Sequence, residues 1–425
     1  MAETTADTIT ATWRAESGRL VAALTRLTRD LDLAEDAAQD ALLNALEQWP
    51  VRGVPDNPGA WLMTAARQRA IDSFRRADTL RRKTEELGHR RPGEDAMPDF
   101  TAQVDSIEDD VLRLIFLACH PALTPDSRAA LTLRLVGGLT TAEVARAFLV
   151  TEAAMGQRIS RAKKLLTQAQ AEFELPVGAE RRARLDDVMG VIYLIFNEGY
   201  TATAGSNWMR TELTTEAIRL ARLLAELTPD EPEVHALQAL LELQASRTAA
   251  RADAEGRAIL LEDQDRSRWD QLLIRRGLAA LERAAGLGAS GKPVGRYFLQ
   301  AAIASEHARA TTPAATNWPA IAGRYDTLAE LAPGPIVELN RAVAHGRAFG
   351  PEAGLAVLDS IAPGALGSSH LLPSVRGDLL ARAGHNAEAA AEFRAAAALT
   401  QNQSERRLLL DRAIGMAGST RGSAR

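Results

Sequence analysis

The stretch GLTTAEVARAFLVTEAAMGQRISRAKKLL, Gly138 to Leu166, decides how the chain reads. Thr140 or Thr141 suits a helix N-cap, because a short hydroxyl side chain can accept from the first free backbone N–H groups. The apolar spacing predicts a short helix through Phe148, a turn at Leu149-Val150-Thr151, and a second helix from Glu152 to Leu166. Val144, Ala145, Met155, Ile159, Ala162 and Leu166 recur where two such helices pack together. The second helix sets Arg158, Arg161, Lys163 and Lys164 against the single acid Glu152. A helix pair of this kind can lay one helix across a phosphate backbone and the other in the major groove. Arginine and lysine would then hold phosphates, and Gln157 or Arg158 could reach base edges. A helical hairpin with a solvated cationic face fits the same letters, so this stretch alone leaves both readings open.

Working outward, the 425 residues suggest two or three domains. Hydrophobic residues make up 46% and charged residues 25%, which argues against global disorder. The net charge of −5 excludes a uniformly basic nucleic-acid binder but not a local basic helix. Cys119 is the one cysteine, which excludes an intramolecular disulfide and a multi-cysteine zinc site and suits a reducing cytoplasm. Residues Met1 to Thr10 show no export signal, and the greasiest run, Val188 to Phe196, is too short to span a bilayer. A cytoplasmic protein without a membrane partner is expected.

Alanine, leucine, arginine and glutamate dominate, and apolar residues recur every three or four positions, as at Leu20, Leu24, Leu27 and Leu31. The whole chain is therefore expected to be all-α. Residues 79–106 are charged and poor in apolar anchors, and read as a flexible linker. A second break is expected near Leu175-Pro176-Val177-Gly178. The expected blocks are 10–78, 107–174 and 180–418. In the third, Gly377, Leu380, Gly384, Ala389, Phe393 and Ala396 follow the small/large offsets of a tetratricopeptide (TPR) helix pair. Ala217, Ala221, Leu224 and Pro229, and again Ile321, Tyr325, Leu328 and Pro333, fit parts of the same unit. A stack of such pairs buries a continuous core and leaves a concave face. An irregular helical array fits as well.

The first block runs from Leu33-Ala34-Glu35-Asp36-Ala37-Ala38-Gln39-Asp40 to Trp49. After a turn come Trp61-Leu62 and then Arg67-Gln68-Arg69-Ala70-Ile71-Asp72-Ser73-Phe74-Arg75-Arg76. Here the chain resembles a family. This block is similar to region 2 of the extracytoplasmic-function (ECF) group of sigma-70 factors, with its acidic-Gln-acidic, Trp-Leu and Asp–Arg–Arg elements. Residues 138–166 resemble region 4.2 of the same group. Ile195-Phe196-Asn197-Glu198-Gly199-Tyr200, Leu299-Gln300-Ala301-Ala302 and Val337-Glu338-Leu339-Asn340 look like the extension of a subgroup with a TPR-like C-terminal domain. Three positions depart from the pattern: Leu149 at the turn, Gly156 on the second helix, and Gln68.

The resemblance implies an RNA polymerase sigma factor that chooses promoters and catalyses nothing itself. Asp36, Gln39 and Asp40 share a helix face and would dock on core polymerase at the β′ clamp helices, with the β subunit as a further partner. Trp61, Arg67, Gln68, Asp72, Arg75 and Arg76 would meet promoter DNA at the −10 element, where stacking and cations capture opened bases. Trp61 also fits a packing role, and Asp72 an internal partner for an arginine. Thr141, Gln157, Arg158, Arg161, Lys163 and Lys164 would read the −35 element. A fused C-terminal domain suggests control in cis through intramolecular contact with the sigma regions. Asn197, Glu198 and Tyr200 are the contact candidates. Against that, Gly199 could simply supply a left-handed helix cap.

The rival reading is a conventional helix-turn-helix regulator with a ligand- or protein-sensing helical domain, which would bind duplex DNA alone. Enzyme readings fare worse. Gly286-Leu287-Gly288-Ala289-Ser290-Gly291-Lys292 fits seven positions of a phosphate loop, but Pro293 replaces the hydroxyl that would hold Mg²⁺. The seven histidines show no paired metal-ligand spacing. No cofactor and no metal are expected.

Overall fold

The computed structural model describes residues 5–85, 107–148, 150–200, 211–253, 259–362, 366, 369–400 and 403–422. These form eighteen α-helices and no β-strand, as the composition and the apolar spacing require. No helix among the described residues is long and apolar enough to cross a membrane. The chain divides into two compact units, Met1–Leu194 and Ile195–Arg425.

The first unit opens with three helices, α1 (Thr5–Thr28), α2 (Leu31–Arg52) and α3 (Pro58–Glu85). Arg29 turns the chain between the first two with φ 53, and Asp30 then caps α2 by accepting from the N–H groups of Asp32 and Leu33. Leu20, Leu24, Ala34, Ala38, Leu62 and Ala66 are buried where the three helices meet. Small alanines on α2 let its neighbours approach closely. Helix α3 runs to Glu85, so residues 79–85, expected as linker, continue a helix. Residues 86–106 of that linker lie outside the described residues.

Four shorter helices follow: α4 (Ile107–Ala118), α5 (Pro125–Leu135), α6 (Thr141–Ala147) and α7 (Glu152–Gln168). Helix α4 packs against α1, and α5 to α7 pack on one another. The boundary between the units falls inside α8 (Gly178–Tyr200), about one helical half later than the break expected near Gly178. Two contacts hold the early turns of α8 to the first unit. Asp187 pairs with Arg128 at 2.9 Å. Arg184 donates to the Phe116 carbonyl at 2.6 Å with its guanidinium 5.7 Å from the Phe116 ring.

The second unit is a succession of helices, each packed on the next: α9 (Thr211–Leu227), α10 (Pro232–Ala245), α11 (Gln271–Ala289), α12 (Arg296–Arg309), α13 (Trp318–Leu331), α14 (Pro335–Phe349), α15 (Pro351–Asp359), α16 (Leu371–Arg382), α17 (Asn386–Leu399) and α18 (Gln403–Gly422). Its core passes from Ile303, Ile321 and Leu328 to Leu339, Leu358 and Leu379, and then to Phe393, Ala396 and Leu409. The α16–α17 hairpin shows why small residues are needed. A Cβ on Gly377 would stand 2.8 Å from Phe393 Cε1. Gly384 turns the chain between these two helices with φ +84, where a side chain would be strained. Helix α12 begins at Gly295, which has no capping side chain. Glu233 of α10 does the capping instead and accepts from the N–H groups of Gly295, Tyr297 and Phe298 at 2.8, 2.9 and 3.1 Å. The phosphate-loop look-alike is no loop at its start, since Gly286 to Ala289 form the last turn of α11.

Candidate nucleic-acid interface

Helices α6 and α7 form the hairpin expected from the opening stretch. Thr140 is the N-cap of α6 in a full capping box: its hydroxyl accepts from Glu143 N–H at 3.1 Å, and Glu143 accepts from Thr140 N–H at 2.8 Å. Those bonds, with Arg14 at 3.0 Å, hold the Glu143 carboxyl below its ordinary pKa although its burial acts the other way. Thr151 caps α7 by accepting from Ala154 N–H at 3.2 Å. Val144, Ala145, Met155, Ile159, Ala162 and Leu166 are all buried, as their spacing demanded. Leu149, singled out at the turn, lies outside the described residues.

The α7 candidates divide by face. Gln157, Arg161 and Lys164 are exposed on one side, opposite the buried stripe. Arg158 is half-buried and lies 3.4 Å from Asp126. Thr141 is half-buried at the first turn of α6. Gly156 leaves open space, since a Cβ there would meet only the Thr141 methyl at 4.0 Å. Lys163 departs from the expected phosphate-facing group. It follows Ile159 by four residues and so stands at the margin of the buried stripe, where α2 meets it. Its ammonium is 2.6 Å from both Asp32 and Glu35. Burial works against that charge, but the two carboxylates more than offset it and hold the Lys163 pKa above the ordinary lysine value.

On α2, Asp36 is exposed and Gln39 and Asp40 are half-buried, one turn apart on a common face. Gln39 donates to Glu35 at 2.8 Å, and Asp40 lies 3.7 Å from Arg69 of α3. Desolvation raises the Asp36 pKa, Lys163 counters it, and Glu35, Asp32 and Asp40 add to the rise. Glu35 and Arg134 matter here and were not expected to. Arg134 pairs with the nearly buried Glu35 at 2.7 Å and also donates to the Leu139 carbonyl. Asp110, fully buried, joins α1 to α4 through Arg26 at 3.0 Å and takes Arg113 at 2.7 Å. Trp13 adds a bond from its indole N–H to the Gly138 carbonyl at 3.0 Å. The readable signal was a charge set inside an apolar stripe: Glu35 between Ala34 and Ala37-Ala38, and Arg134 between Leu133 and Leu135.

On α3, Trp61 is half-buried and meets the buried Trp49 ring edge-on at 5.5 Å, which is a packing role. Arg67 is half-buried with its Nε lacking an acceptor. Gln68 is exposed and donates to Asp72 at 3.1 Å, so the partner of Asp72 is an amide as well as any arginine. Arg75 is exposed, and the Arg76 side chain lies outside the described residues.

In the second unit, Asn197 is exposed and Glu198 half-buried. Tyr200 is occupied within its own unit. Its ring stacks on Phe196 at 5.2 Å and lies under the Arg251 guanidinium at 3.7 Å, and its hydroxyl takes a bond from Arg247 at 2.8 Å. Gly199 is no left-handed cap, because α8 continues through it to Tyr200. No group of His, Cys, Asp and Glu among the described residues could hold a metal ion. Cys119 is buried, and desolvation pushes its thiol up to about 11.

Comparison with known proteins fits this geometry. Residues 12–79 match the family described as sigma-70 region 2, and residues 113–166 match sigma-70 region 4. Residues 184–285 match a family of unknown function, DUF6596. An uncharacterized protein of Rhizobium meliloti is 44% identical over 387 residues, covering 90% of each chain. A probable ECF RNA polymerase sigma factor, SigI, of Mycobacterium tuberculosis is 27% identical over 165 residues, 39% of this chain and 56% of its own length. The ECF RNA polymerase sigma factor SigK of a Mycobacterium species is 28% identical over 152 residues, 34% of this chain and 73% of its own. No solved structure matches the chain. Regions 2 and 4 imply core RNA polymerase and promoter DNA as partners. With both regions in order, the capped helix pair in the second and a long helical extension behind them, this chain belongs to the extracytoplasmic-function sigma factors of the sigma-70 family.

Proposed function

We propose how the parts divide this work. Residues 10–78 bind core polymerase and open the −10 element, residues 107–174 read the −35 element, and the second unit, after residue 194, forms a TPR-like domain that controls them in cis. Asp36, Gln39 and Asp40 dock on the β′ clamp helices, and the β subunit adds contacts. Arg67, Gln68, Asp72, Arg75 and Arg76 serve the −10 DNA, with Trp61 bracing their helix. Gln157, Arg161 and Lys164, with Arg158 and Thr141 beside them, face the −35 duplex. The protein works in the cytoplasm, where polymerase is, and performs no catalysis of its own. The observation that carries this reading is the exposed Gln157–Arg161–Lys164 face on a capped second helix, in a chain whose two sigma regions stand in order.

Lys163 refines it. Asp32 and Glu35, beside the docking face, hold Lys163, so this cation braces α7 against α2 rather than facing the −35 duplex. Transcription in vitro tests the proposal, using purified core polymerase, the full chain and a library of promoter fragments. Transcripts that start at fixed sites only when the chain is added support it. No transcript, together with specific duplex binding in the absence of polymerase, would mean a conventional helix-turn-helix regulator.

A further inference from the structure

The second unit holds two adjoining cavities that promoter recognition does not use. One, about 320 Å³, is lined by Arg247, Trp269, His307, Trp318 and Tyr325 together with aliphatic side chains. The other, about 640 Å³, adds Arg266, Arg347, Arg382 and Arg412, with Glu262 and Asp378 as its acids. Leu261, His307, Trp318 and Val343 line both, and the His307 and Trp318 rings meet edge-on at 5.3 Å.

The lining is unbalanced in charge. Five guanidiniums stand against two carboxylates. Glu262 serves both Arg347 and Arg382, at 2.5 and 2.9 Å, and Asp378 serves both Arg382 and Arg412. Arg247 and Arg266 have no carboxylate partner among the described residues. Arg247 bonds the Tyr200 hydroxyl and Gln244, and Arg266 bonds the carbonyls of His307 and Ala310 and the Thr316 hydroxyl. A half-buried excess of positive charge is costly until an anion meets it.

The unpaired atoms point the same way. Arg266 Nε, Arg347 Nε and Trp269 Nε1 are buried without an acceptor, and each can only donate. Buried donors ordinarily find a partner, so these orphans, Trp269 Nε1 on the smaller cavity and the two arginine Nε atoms on the larger, call for an acceptor-rich guest. His307 adds no positive charge. Burial, with Arg247, Arg266 and Arg347 nearby, pushes it down to about 4 and keeps it neutral. The walls are aromatic: the Arg266 guanidinium lies 4.9 Å from the Trp269 ring centre, and that of Arg347 5.4 Å from Trp318.

We propose that the second unit binds a small organic anion here, its carboxylate or phosphate head held by Arg247, Arg266 and Arg347 and its apolar body against Trp269 and Trp318. The cavities have the size and the mixed apolar and polar lining of small-molecule sites. Glu262 and Asp378 favour a small guest over an extended acidic chain, whose further charges would meet them. The inference rests on second-unit residues alone, so its failure leaves promoter recognition standing.

The test uses the full chain, with tryptophan fluorescence and thermal unfolding as readouts. Benzoate and phenyl phosphate should give saturable quenching and raise the melting temperature. Their uncharged counterparts, benzamide and phenol, should bind about tenfold more weakly or worse, the effect of losing a charge-assisted hydrogen bond. Arg247→Gln should weaken phenyl phosphate about tenfold, and Arg247→Lys less, because it keeps the charge but not the fork. If Arg247→Gln fails to fold, the comparison of charged and uncharged probes on the unaltered chain still decides. Equal binding of benzoate and benzamide, or no saturable response to either anion, overturns the proposal. So does inorganic phosphate binding as tightly as phenyl phosphate, which would leave the aromatic walls without a role. A glutamate-rich peptide that outcompetes phenyl phosphate would replace the small anion with an acidic protein partner.

Discussion

At the scale of single residues, two cations on one helix have different work. Arg161 is exposed, whereas Lys163 is bonded to Asp32 and Glu35. Arg161→Ala should leave the melting temperature unchanged and reduce the salt slope of holoenzyme binding to promoter DNA by about one, as loss of one phosphate contact does. Lys163→Ala should lower stability by about 1–3 kcal/mol in urea unfolding, because Glu35 is nearly buried and would keep only Arg134 as its cation. The reverse pattern would put Lys163 on the DNA face. His307 supplies a pH test. Its folded pKa of about 4 lies below the ordinary 6.5, so the unfolded chain takes up the proton first. Its contribution is therefore full above pH 6.5 and is lost as pH falls toward 4. His307→Gln should flatten the stability profile across that window, and an unchanged slope in urea titrations from pH 7 to about 4 would place the ring in water. The six residues of the α6–α7 packing stripe were legible in sequence, because period and residue type fix them. The role of Lys163 was not, since helix spacing marks the margin of a buried stripe without showing that α2 lies beside it.

At the scale of helices, caps and close crossings do the specifying. The Thr140–Glu143 capping box could be read from the letters, because both partners lie within one turn. The capping of α12 by Glu233 could not, because the acid is some sixty residues away in sequence on α10. The α14–α15 crossing gives a prediction at this scale. A Cβ on Gly354 would stand 2.6 Å from the Ala342 carbonyl oxygen and 3.0 Å from the Gly346 Cα, both backbone atoms that cannot swing aside. Gly354→Ala should therefore destabilise the second unit by about 1–3 kcal/mol, despite its better helix propensity. Calorimetry of the full chain checks this, and a neutral or stabilising outcome would mean that the helices separate without strain. Gly199 makes the opposite point. Its neighbours suggested a helix stop, but packing of Phe196 and Tyr200 carries α8 through it.

At the scale of the whole molecule, the boundary between the units has a practical consequence. A chain ending at residue 178 discards Arg184 and Asp187, which bond Phe116 and Arg128 of the first unit. It should melt lower than one ending at 194. Control in cis is best tested with the longer piece: equal transcription from residues 1–194 and the full chain would remove the regulatory role of the extension. The sequence by itself determined the all-α class, the order of the two sigma regions and the helix pair in the second. These are local properties, set by period, propensity and motif within a few turns of chain. Only the tertiary structure decided that Glu35 and Lys163 meet, that the unit boundary falls inside α8, and that Arg247, Arg266 and Arg347 gather around His307. Those facts join residues tens to more than a hundred positions apart, and no short-range pattern encodes which distant helix supplies a buried charge with its partner or leaves it without one.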